Sequence, residues 1–78
     1  MTNDEIYRQI FITAFGVARE DLPGLTYQGV DAWDSVGHME LIAGLEETFN
    51  IMIETDDILR FDSFSSGYEI LRKYDVRI

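Results

Sequence analysis

The chain has no cysteine. Disulfides, thiolate nucleophiles and cysteine-ligated zinc are therefore excluded. It has one histidine, which removes the multi-histidine sets that hold most catalytic zinc ions. No alternating-aspartate calcium loop occurs, and no metal site is assigned. Long apolar runs are also missing. No stretch approaches the roughly 20 apolar residues that a bilayer span requires. The opening MTNDEIYRQ lacks the basic start and apolar core of a signal peptide. A soluble, cytoplasmic domain with no membrane insertion is the expectation. Basic residues are scarce too, six Lys and Arg against 15 Asp and Glu. Residues 20–59 contain no Lys or Arg. Nucleic-acid binding, which needs clustered cations against phosphate, is not expected.

What is present is enough apolar material for a core. Of 78 residues, 46% are hydrophobic, typical of a globular chain and too many for an acidic disordered tail. The length allows a single domain, residues 1–78, near the lower limit for folding without staples. A monomer is expected. The formal net charge is −9, and ten of the acids lie between residues 20 and 59: Glu20, Asp21, Asp31, Asp34, Glu40, Glu46, Glu47, Glu54, Asp56 and Asp57. The plain reading is a solvated surface that keeps the protein soluble.

Periodicity supplies the elements. Thr2 and Glu5 have capping-box spacing, and Ile6, Tyr7, Ile10, Phe11, Ala14 and Phe15 then recur at helical intervals, with Gly16 as the stop. Helix 1 is expected over residues 3–15. Residues 16–33, broken by Pro23, Gly24 and Gly29, read as a long connection whose apolar residues pack across helix ends. Asp34-Ser35 opens the strongest helix, with Val36, Met39, Ile42, Leu45 and Phe49 as its apolar stripe, Leu41 widening it and Asn50 ending it. Ile51–Ile53 follow as a short buried crossing. Thr55-Asp56-Asp57 is expected to cap a short helical turn. Asp62-Ser63 caps a last helix carrying Phe64, Tyr68, Leu71 and Tyr74, with Arg72 and Lys73 in its final turn, where cations suit the helix dipole. The expected fold is all-α, a small four-helix bundle of three longer helices and one short one, with a long first loop.

Ser35 stands apart from Ser63, Ser65 and Ser66. It lies where the long loop meets a helix N-terminus, where unpaired N–H groups and the dipole favour an anionic group. By itself, however, Asp-Ser before a helix is an ordinary cap. A Ser35–His38 hydrolytic pair, three residues apart, would also need an orienting acid, an oxyanion hole and a pocket, for which a chain of this size has little room. No enzyme activity is expected, and His38 reads as a surface helix residue.

The segment around Ser35 is more specific. Asp34-Ser35-Val36-Gly37-His38-Met39-Glu40-Leu41, continuing to Leu45-Glu46-Glu47 and Phe49, resembles the Asp-Ser-Leu helix of acyl carrier proteins. Phe15-Gly16-Val17, the Ile51–Ile53 crossing, the Asp56-Asp57 turn and the helix opening near Phe64 keep that family's spacing, so the likeness spans the whole chain. It implies that Ser35 carries 4′-phosphopantetheine, attached by a phosphopantetheinyl transferase. Acyl intermediates would then ride as thioesters on the arm and pass between enzymes of fatty acid, polyketide-type or specialised lipid biosynthesis. Asp34 would order the serine and aid transferase recognition. The resemblance also makes this helix the recognition surface for basic patches on partner enzymes, through Val36, Glu40 and Glu47, with Asp56 as a secondary contact. Glu40, Gly44 and Glu47 share one face, which Gly37 extends toward Ser35, and all four are expected to be exposed. Gly44 would allow close partner approach or room for an acyl chain. Phe61 and Phe64 are candidates for lining an acyl cavity, with simple core packing as the alternative.

Three positions depart from the family pattern. Val36 replaces its leucine, Gly37 replaces a frequent acid, and Trp33 replaces a small residue. These point to a stand-alone carrier of a specialised pathway. A D-alanyl or aminoacyl carrier, or an acidic helical interaction module that carries nothing, remains as the alternative.

Overall fold

The computed structural model describes all 78 residues and is all-helical. Four α-helices, α1 (Asn3–Phe15), α2 (Ser35–Phe49), α3 (Thr55–Arg60) and α4 (Phe64–Lys73), form a small bundle. No strand forms; the one bridge joins Thr26 to Ser63.

Helix ends follow local chemistry. The Thr2 hydroxyl accepts the Glu5 N–H, and Gly16 closes α1 at φ +65 with its N–H on the Ile12 carbonyl. That left-handed geometry carries little cost for glycine. The Glu5 carboxylate is drawn off to Arg19 at 2.5 Å. Asn50 ends α2 in the same left-handed region. Ser63 and Ser66 form a reciprocal capping box at the head of α4. On α3 the expected cap is displaced. Glu54 occupies the cap position and makes no side-chain bond.

The long connection is not free coil. Arg19–Gly24 form a 3-10 helix that buries Leu22. Leu25 and Asp62 supply the carbonyls for the Phe64 and Tyr27 N–H groups, which seals the loop to the start of α4. Around it lies an aromatic core. Tyr7, Phe11 and Phe15, four apart on α1, meet Trp33, Phe61 and Phe64. Gly67 is required where α4 crosses α1. A Cβ there would lie 1.9 Å from the Tyr7 hydroxyl and 2.4 Å from Phe61 Cζ.

The buried face of α2 is rotated from the expected stripe. Gly37, Leu41, Ile42 and Leu45 are buried, whereas Val36 and Met39 are 66% and 54% exposed. The row Val36, Met39, Ile42 advances in steps of three, short of a 3.6-residue turn, so it winds off the core. The inward positions escaped an apolar count because glycine and histidine occupy two of them. Met52, expected in a buried crossing, is 86% exposed, and only Ile53 of that segment is buried.

Candidate functional site

Ser35 is the first residue of α2, exposed, and its hydroxyl makes no hydrogen bond to the protein. Asp34 caps the helix, its Oδ1 accepting the Gly37 N–H at 2.8 Å. The Asp34 carbonyl takes the His38 N–H. The N–H groups of Ser35 and Val36 keep no partner, as the first turn of a helix dictates. The site is thus an accessible hydroxyl beside two outward N–H groups at the positive end of a 15-residue helix. A phosphodiester on Ser35 fits these residues: no side chain covers the hydroxyl, and the free donors suit an anion.

Trp33 and His38 hold this terminus in place. Trp33 is fully buried, stacked on Phe15 at 5.1 Å, and its indole N–H donates to His38 Nδ1 at 2.9 Å. Indole is donor only, so Nδ1 is the acceptor and the ring proton lies on Nε2. His38 Nε2 donates to the Ile58 carbonyl on α3 at 2.8 Å. His38 is therefore not a surface residue, and both ring nitrogens are occupied, leaving neither for Ser35.

The expected docking residues divide. Glu40, Glu47, Asp56 and Val36 are exposed. Gly37 is buried, and a Cβ there would lie 2.0 Å from the Ala32 carbonyl oxygen. Its missing side chain admits the loop backbone, so it offers nothing to a partner. Gly44 is half-buried beside Ile10. It borders an open groove of about 420 Å³ between α1 and α2, lined by Ile6, Gln9, Ile10 and Ala14, with Glu40 at the edge. Phe61 and Phe64 are 1% and 3% exposed, packed on Phe11.

Besides Asp34 at the cap of α2, two more acids of the stretch 20–59 serve the fold. Glu46 accepts the Ile53 N–H at 2.8 Å and fixes the crossing after α2. Asp57 is 1% exposed and receives the Tyr74 hydroxyl and Lys73 Nζ, tying α3 to the end of α4. The Tyr74 hydrogen bond, then Lys73, holds its carboxyl below the ordinary range, while Lys73 is raised in return. A similar cluster joins α1 to α4. Tyr68 donates to Asp4, lowering that carboxyl, and Arg8 pairs with it at 3.0 Å. Burial first, and Asp4 second, push the Tyr68 phenol up to about 12. Nothing local in the sequence pairs Trp33 with His38 or Asp57 with Lys73; each contact joins separate elements.

No three His, Asp or Glu side chains converge on a metal position. No helix is long and apolar enough to cross a membrane. No family model, no curated protein and no solved structure matches the chain.

Proposed function

We propose that the chain is an acyl carrier whose arm, 4′-phosphopantetheine, is attached to Ser35. The observation that carries this reading is the exposed, unbonded Ser35 hydroxyl at the head of a capped helix, within a sequence that resembles the Asp-Ser helix of acyl carrier proteins. When attached, the arm supplies the thiol that this cysteine-free chain lacks. The chain's own residues do the holding. Asp34 ends the loop and fixes the first turn, so the hydroxyl is presented without reorganisation. The unpaired Ser35 and Val36 N–H groups would help to hold the anionic phosphodiester. Exposed Glu40 and Glu47, with Val36 between them and Ser35, form the surface for a basic partner, and Asp56 extends the acidic surface onto α3. Charge complementarity there speeds encounter and weakens with salt.

The test is intact-mass measurement after incubation with coenzyme A, magnesium and a broad-specificity phosphopantetheinyl transferase. A single phosphopantetheine gain is expected, and it is abolished in Ser35→Ala. Absence of a gain, or a gain that survives Ser35→Ala, rejects the proposal and leaves Asp34-Ser35 as a helix cap.

A further inference from the structure

The interior next to Ser35 is closed by a bolt. Trp33 Nε1–H reaches His38 Nδ1 at 2.9 Å, and His38 Nε2–H reaches the Ile58 carbonyl at 2.8 Å. Two hydrogen bonds through one imidazole thus tie the end of the long loop, the first turn of α2 and the last turn of α3 together. The ring is itself packed. It lies parallel to Trp33 at 6.2 Å and meets Tyr27 and Phe61 edge-on at 5.5 and 6.2 Å. Below it Phe11, Phe15 and Phe61 fill the space, and Phe61 in turn abuts Gly67, which has no room for a methyl group.

A chain entering between α2 and α3 would have to break the His38–Ile58 bond, and one entering between the loop end and α2 the Trp33–His38 bond. The second break would strand the buried indole N–H, a costly state. The open apolar groove offers no easy substitute. On α2 it is bordered by Glu40 and Gly44, and Gly44 is nine residues from Ser35. Nine residues are two and a half turns, which places Gly44 on the opposite side of α2.

We infer that His38 is a specificity-determining residue: the Trp33–His38–Ile58 bolt keeps cargo outside the bundle, so the carrier serves acyl groups that tolerate water. Short or hydroxylated acyl chains meet that requirement; a long saturated chain would be left exposed. The inference rests on the carrier reading of Ser35 and takes Phe61 and Phe64 as core residues of the resting carrier.

The experiment uses the phosphopantetheinyl transferase and magnesium to move acetyl-, 3-hydroxybutyryl- and octanoyl-phosphopantetheine from their coenzyme A thioesters to Ser35 of the wild type, His38→Ala and Trp33→Phe, with release of adenosine 3′,5′-bisphosphate. Thermal midpoint and the rate of hydroxide cleavage of the thioester are then compared. In the wild type the midpoint should change by less than about 1 °C across the series, and all three thioesters should be cleaved alike, because no methylene leaves water. In the variants the octanoyl form should melt roughly 5 °C or more above the acetyl form, with slowed cleavage, as the chain gains burial. A purely structural role would lower every midpoint equally and leave no chain-length dependence. Trp33→Phe removes the indole donor together with one ring's volume and keeps an aromatic ring in the stack, so it serves if His38→Ala does not fold. A chain-length response in the wild type, or none in any folded variant, overturns the inference. Failure to load at all overturns the carrier reading as well, and the mass spectrum separates the two.

Discussion

Two glycines on α2 should respond to the same substitution with opposite signs. At Gly37 an added Cβ would stand 2.0 Å from the Ala32 oxygen and 3.3 Å from Phe15 Cε1. Carbon and oxygen normally meet no closer than about 3.3 Å, so the overlap is roughly 1.3 Å. The obstacle is backbone, and it cannot simply retreat. Ala32 precedes Trp33, which is locked by its stack on Phe15 and its bond to His38. Overpacking of this kind costs about 3 kcal/mol at the upper end of its usual range. Alanine returns about 1 kcal/mol in helix propensity. The net loss for Gly37→Ala is therefore about 2 kcal/mol, or roughly 8–16 °C in melting midpoint for a domain of this size. At Gly44 the nearest atom to the new Cβ is Ile10 Cγ2 at 3.7 Å, an ordinary contact. Gly44→Ala should keep the full propensity gain of about 1 kcal/mol and melt roughly 4–8 °C higher. Both are read by far-ultraviolet circular dichroism on heating. A Gly37→Ala variant that melts at or above wild type would refute the reasoning, since the Ala32 carbonyl could not then lie against α2.

Asp57 predicts a pH response. Its folded carboxyl titrates below the ordinary value of 3.8, so the Lys73–Tyr74 tie is present above that value and is lost as pH falls through the folded one. Acid also relieves the repulsion of a chain at −9. The informative quantity is therefore the midpoint gap between wild type and Asp57→Asn, which should be wide at pH 7 and close below about pH 4; a gap that is constant with pH would contradict the tie. Glu46→Ala removes the acceptor of the Ile53 N–H and should lose about 1 kcal/mol in urea titration. Glu40→Lys with Glu47→Lys should slow transfer by a partner enzyme at low salt without altering the melting curve, because both side chains are exposed. Equal transfer rates would remove that face from recognition.

Much of the fold was written locally. Thr2, Gly16, Asp34, Asn50 and Ser63 mark helix ends by their own side-chain or backbone preferences, and each sits at the boundary its chemistry implies. α3 is less legible. Thr55, Asp56 and Asp57 all resemble caps, but Glu54 takes the cap position, the helix begins at Thr55, and Asp57 is drawn inward to Lys73 and Tyr74. The α2 stripe misled for a related reason. Apolar content marked Val36 and Met39, yet the core lies on the side where Gly37 and His38 face the loop. A count of hydrophobic residues cannot register a glycine chosen for close approach or a histidine chosen for two hydrogen bonds.

By itself the sequence determined the helices, the position of Ser35 at a helix head and the confinement of ten acids to a stretch without Lys or Arg. These depend on neighbours within a turn or two, or on composition alone. Only the tertiary structure decided which of those acids face water and which are spent on the fold, and that the lone histidine is a strut rather than a contact. Those assignments depend on groups that meet only after the chain has folded: Trp33 with His38 and Ile58, Glu46 with Ile53, Asp57 with Lys73 and Tyr74. Glu40 and Glu47 are among the acids that stay exposed once these internal pairings are complete.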